Sequence, residues 1–242
     1  QVLKLPELGR REQMLLEIER SRCLRISGRM DEARSMVDER RSIPPTEEPE
    51  PDSTAEMDVA EPPVVQAAEP DPTGAENTEA EALGEGRELA LMEAERLLEL
   101  GTIERDQARY VEARECYSKA LKIFRTHANR DGEGKTLGLL GGTYRVQGQS
   151  EPAIAHYRQS IDILREVGNK RGAGVQLGNL GLVYWSLGEL ERAIECCSQS
   201  LAIAREIGNK HSEGIQLGNL GLVYQEQGQL ERAIEQHRQA LT

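Results

Sequence analysis

The sequence predicts an all-α protein made of stacked, antiparallel helix pairs. Three observations carry this. The second half of the chain matches itself at an offset of forty residues, apolar residues within each forty recur at spacings of three and four, and single glycines interrupt that pattern at fixed places. Self-similarity at such a period marks a solenoid, in which each hairpin buries its apolar face against the next.

The 242 residues divide into three parts by composition. Residues 1–43 carry a net charge near +2 and read as a helical hairpin, a degenerate repeat in which Gly28 and Ala33 keep the spacing of Gly148 and Ala153. Residues 44–86 hold thirteen Asp and Glu, no Lys or Arg, and eight of the ten prolines. Like charges and prolines leave too little apolar surface to offset the entropy of ordering, so this acidic, Pro-rich segment reads as an extended, disordered linker. It accounts for the net charge of −12, and residues 87–242 are nearly neutral, at −1.

Residues 87–242 form the array, with units at about 88–127, 128–167, 168–207 and 208–242, the last of them cut short. The third and fourth units, GNKRGAGVQLGNLGLVYWSLGELERAIECCSQSLA and GNKHSEGIQLGNLGLVYQEQGQLERAIEQHRQALT, are identical at 22 of 35 positions. In the third, a first helix is expected over 171–187, with Leu177, Leu180, Gly181 and Tyr184 on one face, and Gly188 ends it. A second is expected over 190–207, with Ala193, Ile194, Cys197, Leu201 and Ala204 as its stripe, closed by Gly208 in a left-handed cap followed by Asn209. Gly178, Gly181 and Ala193 are small so that neighbouring helices can approach.

Residues 132–136 read GEGKT, which resembles the end of a phosphate-binding loop. That loop needs a strand before it. The preceding SKALKIFRTHAN has helical spacing, residue 129 is Asn where the opening glycine belongs, and later units place Val175 and Gln176 where this one has Lys135 and Thr136. GEGKT therefore belongs to the first turn of a repeat helix. No cofactor and no metal are expected, because the cysteines Cys23, Cys116, Cys196 and Cys197 show no CxxC spacing and no two histidines stand at i, i+4. The adjacent Cys196 and Cys197 diverge on a helix and read as reduced packing residues.

A near-neutral array lacks the positive charge that nucleic acid requires. No apolar run approaches the roughly 20 residues of a membrane span, and there is no signal peptide, so no membrane association and a cytoplasmic location are expected. With Gln1 first and Thr242 inside a helical pattern, the sequence reads as part of a longer chain.

Leu177-x2-Leu180-Gly181-x2-Tyr184, then Ala193-x3-Cys197 and Ser200, resembles the tetratricopeptide-repeat pattern. The second unit has Leu137, Leu140, Gly141, Tyr144, Ala153, Tyr157 and Ser160, and the fourth Leu217, Leu220, Gly221, Tyr224, Ala233, His237 and Ala240. The first keeps Leu97, Leu100, Gly101, Ala113, Tyr117 and Ala120 but has Glu104 at the tyrosine position. The forty-residue period, with Arg125, Arg165 and Arg205 at the family's proline position, resembles the arrays of G-protein-signalling modulators and of bacterial multidomain regulators.

The resemblance implies a right-handed superhelical solenoid whose first helices line a concave groove, and a non-catalytic scaffold that binds a protein or peptide partner there. Carried over residue by residue, the groove holds Lys135, Leu139, Gly142 and Arg145 in the second unit. The third supplies Val175, Asn179, Leu182 and Trp185, and the fourth Ile215, Asn219, Leu222 and Gln225. Asn179 and Asn219 stand where resembling proteins hold a peptide backbone, and a solvated helix face is the alternative. Trp185, beside core Tyr184, points off the core stripe; it either anchors a partner or packs on an adjacent unit.

Signalling-modulator arrays carry arginine at Val175 and Ile215 and asparagine at Leu182 and Leu222. The more apolar groove here calls for an amphipathic helix and not an acidic tail. The acidic segment serves either as a spacer or as a strap over Lys135 and Arg145, since 43 flexible residues span about 40 Å. End-to-end self-association of the fragment is a further expectation. The competing function is the regulatory region of a larger enzyme, a kinase, NTPase or protease, whose catalytic domain lies outside these residues.

Overall fold

The computed structural model describes residues 10–26, 28–38 and 72–241, all in helices and the turns between them. The helices are α1 (Arg10–Ile26), α2 (Met30–Asp38), α3 (Pro72–Asp106), α4 (Tyr110–Thr126) and α5 (Arg130–Val146), followed by α6 (Ser150–Glu166), α7 (Lys170–Ser186), α8 (Leu190–Glu206), α9 (Lys210–Glu226) and α10 (Leu230–Ala240). They pack as consecutive pairs, and each second helix also contacts the first helix of the next pair from α4 onward. The result is a one-dimensional stack of hairpins.

Capping chemistry sets the period. Gly188 and Gly208 adopt φ of 73° and 68°, the left-handed conformation that ends a helix. The residue after the glycine then caps the next helix where it can: Asn169 and Asn209 each accept a hydrogen bond from the backbone N–H three residues on, at 2.8 and 3.0 Å. This places the start of α7 at Lys170, one residue ahead of the expected position.

Two turns break the glycine rule. Ala108 and Ala128 sit at φ of 59° and 51°. A β-carbon costs about 1–2 kcal/mol in that region, and the greater freedom of glycine in the unfolded chain returns part of the gain. Ala108→Gly and Ala128→Gly should each stabilise the protein by about 0.5–1 kcal/mol, read as a higher urea midpoint at unchanged slope. A lower midpoint would show that the methyl groups contribute packing the backbone argument omits.

The core runs along the stack as a series of clusters. The largest joins Ala153, Tyr157 and Ile161 of α6 to Leu177, Leu180, Val183 and Tyr184 of α7 and Ala193 and Cys196 of α8. Glycines seat the large side chains: a β-carbon on Gly141 would lie 2.9 Å from the Tyr157 ring, and one on Gly132 2.5 Å from that of Phe124. Cys116, Cys196 and Cys197 are buried and outside any disulfide, and burial pushes the thiols of Cys196 and Cys197 up to about 11 and about 12. The thiols of Cys196 and Cys197 stay protonated, and all three side chains act as packing groups.

Part of the segment expected to lack structure is helical. α3 begins at Pro72, inside residues 44–86. Pro72 is the last proline before Pro152, and the body of α3 is rich in Ala, Glu and Leu, which favour helix. Residues 44–71 lie outside the described residues.

The N-terminal hairpin packs on α3. Ala33, fully buried, joins Leu100, Ile103 and Cys116 in one cluster, with Leu24 and Met30 against it, and Gly28 turns between α1 and α2 at φ 78°. Two buried carboxylates complete the contact: Glu99 pairs with Arg25 at 2.9 Å, and Glu104 with Arg34 at 2.9 Å and with Arg109. Glu104 stands where later units carry a tyrosine, and the hairpin supplies it with a counter-charge.

Candidate functional site

The first helices α5, α7 and α9 approach one another directly, and among the described residues no comparable contact joins α4, α6, α8 and α10. Closer packing on one side curves the stack towards that side, so the first helices line its concave face. The residues expected there fall at every third or fourth position of those helices, on one stripe of each.

All of them reach the surface. Lys135, Arg145 and Gln225 are exposed, and Leu139, Gly142, Asn179, Leu182, Trp185 and Asn219 are half-buried. Val175, Ile215 and Leu222 are 45%, 46% and 41% exposed, an apolar stripe along the fold's inner side. The cations are more committed than the sequence indicates. Lys135 pairs with Asp131 at 2.5 Å, and Asp131 also accepts from the Asn169 amide. Burial raises the Asp131 carboxyl, but those two hydrogen bonds and the Lys135 charge outweigh it and hold the group below its ordinary range.

The asparagines are oriented by glutamines. Asn179 donates to Gln176 and Asn219 to Gln216, both at 3.4 Å, one turn earlier on the same helix. Each glutamine lies against a glycine of the preceding unit: a β-carbon on Gly138 or Gly178 would sit 2.5 Å from the Nε2 of Gln176 or Gln216. The sequence pattern assigns Gly178 to close approach without naming its partner; the recurrence of QLG in both late units is the signal that could have found it.

Trp185 joins neighbouring units. Its indole N–H donates to the Glu226 carboxylate of α9, and its ring packs on the cluster that contains Val223. GEGKT lies wholly within α5. Glu133 is buried between Arg125 of α4 and Arg130 of α5, and the Thr136 hydroxyl donates to the Gly132 carbonyl at 2.7 Å, so these side chains serve the helix and its packing on α4.

Two cavities flank α7. One, of about 230 Å3, opens between α6 and α8 over Leu177, Leu180 and Tyr184, away from the groove stripe. Its guanidinium groups are already engaged: Arg158 donates to the Tyr184 hydroxyl at 2.7 Å, Arg165 to Gln199 at 2.9 Å, and Arg192 pairs with Glu189 at 2.5 Å. The other, of about 150 Å3, opens at the junction of α7, α8 and α9 and includes Val175, Asn179 and Ile215 of the groove. Among the described residues no three His, Cys, Asp or Glu side chains gather as a metal site, and no helix is long and apolar enough to cross a membrane.

The chain matches the family model described as tetratricopeptide repeat over residues 93–166 and 174–242. A search of curated proteins finds no match. Among solved structures, it is similar to a putative kinesin light chain from Podosopora anserina with nearly identical TPR-like repeats, at 15% identity and a TM-score of 0.63, covering 97% of each chain. It is also similar to BtubC (BKLC) from P. vanneervenii, at 19% identity and a TM-score of 0.59, covering 98% of this chain and 89% of that one. A third is a Rap protein complexed with competence and sporulation factor, at 17% identity and a TM-score of 0.58, covering 62% of this chain and 42% of that one. At these identities the likeness is one of fold.

Proposed function

From the premise that the chain belongs to the tetratricopeptide-repeat family, we propose that it is a non-catalytic scaffold whose concave groove holds a peptide or an amphipathic helix. The observation that carries this reading is the stripe of Val175, Ile215 and Leu222, each more than two-fifths exposed on the inner side of the stack. Aliphatic side chains left in water along one groove favour a partner with an apolar face. Asn179 and Asn219, held in place by Gln176 and Gln216, offer amide donors and acceptors to a partner's backbone.

A peptide-library selection on the full chain tests this. One apolar-faced motif should be enriched, and Trp185→Ala and Asn219→Ala should each weaken capture, the former by about thirtyfold or more, with far-ultraviolet circular dichroism unchanged. Equal loss of helicity and binding in Trp185→Ala would assign the indole to packing between units alone. Enrichment of acidic peptides with steep salt dependence would reject the apolar-faced partner. End-to-end self-association through α10, whose Leu230 and Ile234 are 60% and 67% exposed, belongs to the same reading, and sedimentation velocity over a concentration series measures it.

A further inference from the structure

The cavity at the junction of α7, α8 and α9 exists because a leucine that fills the preceding junction has no counterpart there. It has a volume of about 150 Å3, and its apolar wall is Val175, Ile203, Ala204, Ile207 and Ile215. Forty residues earlier, Leu164 stands in place of Ala204. Leu164 is fully buried and fills its junction so closely that a β-carbon on Gly134 would lie 2.8 Å from it. At the next junction Ala204 is too short to reach, and the β-carbon built on Gly174 meets Ile203 first, at 3.1 Å. The space stays open, and the residues around it that are 38–46% exposed are Val175 and Ile215 of the groove stripe and Ile207 at the end of α8.

A lone cation stands at the rim. Arg171 lines the cavity and is exposed. The cation beside it in sequence, Lys170, pairs with Glu206, and Lys210, forty residues after Lys170, pairs with Glu213. Arg171 itself makes no ion pair or hydrogen bond among the described residues. At the equivalent place in the preceding unit the residue is Asp131, so the charge at this rim has changed sign along the stack.

We propose that this cavity is the anchor subsite of the groove, taking one leucine-sized aliphatic side chain of a bound peptide that carries an aspartate or glutamate next to it. The inference rests on the groove reading above. A cavity of about 150 Å3 with this apolar wall takes leucine, isoleucine or methionine and is too small for tryptophan, while Ser200, Asn209, Ser212 and Gln216 complete its lining with polar groups. The neighbouring carboxylate meets Arg171, and Asn179, also in the lining, meets the backbone between them. Filling the cavity should strengthen binding by about ten- to a hundredfold over an alanine at the same peptide position.

The test is the same peptide-library selection on the full chain, run in parallel on Ala204→Leu, Ile207→Ala and Arg171→Glu. The unaltered protein should enrich Leu, Ile or Met beside Asp or Glu. Ala204→Leu restores the side chain that α6 carries at this register; it should melt at or above the parent temperature and lose the anchor preference. Ile207→Ala should shift the anchor to phenylalanine, and Arg171→Glu should replace the neighbouring acid by Lys or Arg. If Ala204→Leu misfolds, the other two, both at exposed residues, decide the matter. A motif enriched by the parent and left unchanged by all three variants overturns this subsite and leaves the groove reading standing. A folded parent that enriches nothing overturns both.

Discussion

Tyr157→Ala should destabilise the array by about 3–5 kcal/mol, the range for emptying a fully buried aromatic site. Tyr157 is completely buried, and its ring lies where only glycine fits opposite, since a β-carbon on Gly141 would approach it at 2.9 Å. It belongs to the cluster that ties α6, α7 and α8 together. Glycine cannot collapse into the vacated space, which places the cost at the upper end of the range. Because units contact only their neighbours, loss at this point should split the cooperative transition in two. Chemical denaturation followed by circular dichroism would show a second, earlier phase, with Tyr157→Phe close to the parent. A single shifted transition would mean that the stack unfolds as one body despite its linear construction.

Glu104→Tyr should leave the array folded and release the N-terminal hairpin. The substitution installs the residue that later units carry at this register, so the helix pair α3–α4 has a tolerated side chain there. It removes the acceptor for Arg34 and Arg109, from a position only 4% exposed. Breaking a buried pair costs about 3–5 kcal/mol, but both arginines are about one-third exposed and can turn to water, so about 2 kcal/mol is expected here. That is roughly a thirtyfold shift towards the undocked hairpin. Hydrogen exchange should quicken across α1 and α2 and stay unchanged from α5 onward. Equal quickening in α3 and α4 would show that Glu104 supports its own helix pair instead.

The repeat is legible because it is written twice in nearly the same letters and because Gly188 and Gly208 punctuate it. The start of α7 falls within a residue of its expected place, and the small shift has a cause, the Asn169 cap. The extent of α3 is not legible, because the acidic residues that suggest a linker are also good helix formers once the prolines stop. The groove stripe comes from the family resemblance, carried over residue by residue, whereas the pairing of Lys135 with Asp131 and of Trp185 with Glu226 depends on side-chain reach that a repeat pattern does not contain. Least visible is the cavity, since it arises from what α8 lacks relative to α6. Comparing units position by position for a missing side chain would have revealed Ala204 against Leu164.

The seating of Gln176 on Gly138 and of Gln216 on Gly178 makes the units directional and only partly interchangeable. The segment 168–207 carries the glutamine on the side that meets its predecessor and the glycine on the side that meets its successor, so two copies in tandem would fit each other. Unit 128–167 carries Thr136 in place of that glutamine and comes after a unit with Leu98 in place of that glycine. It matches only the neighbour it has. Growth by duplication is therefore open to one segment of the array and closed to another, and the third and fourth units, identical at 22 of 35 positions, are the two that meet across such a seam.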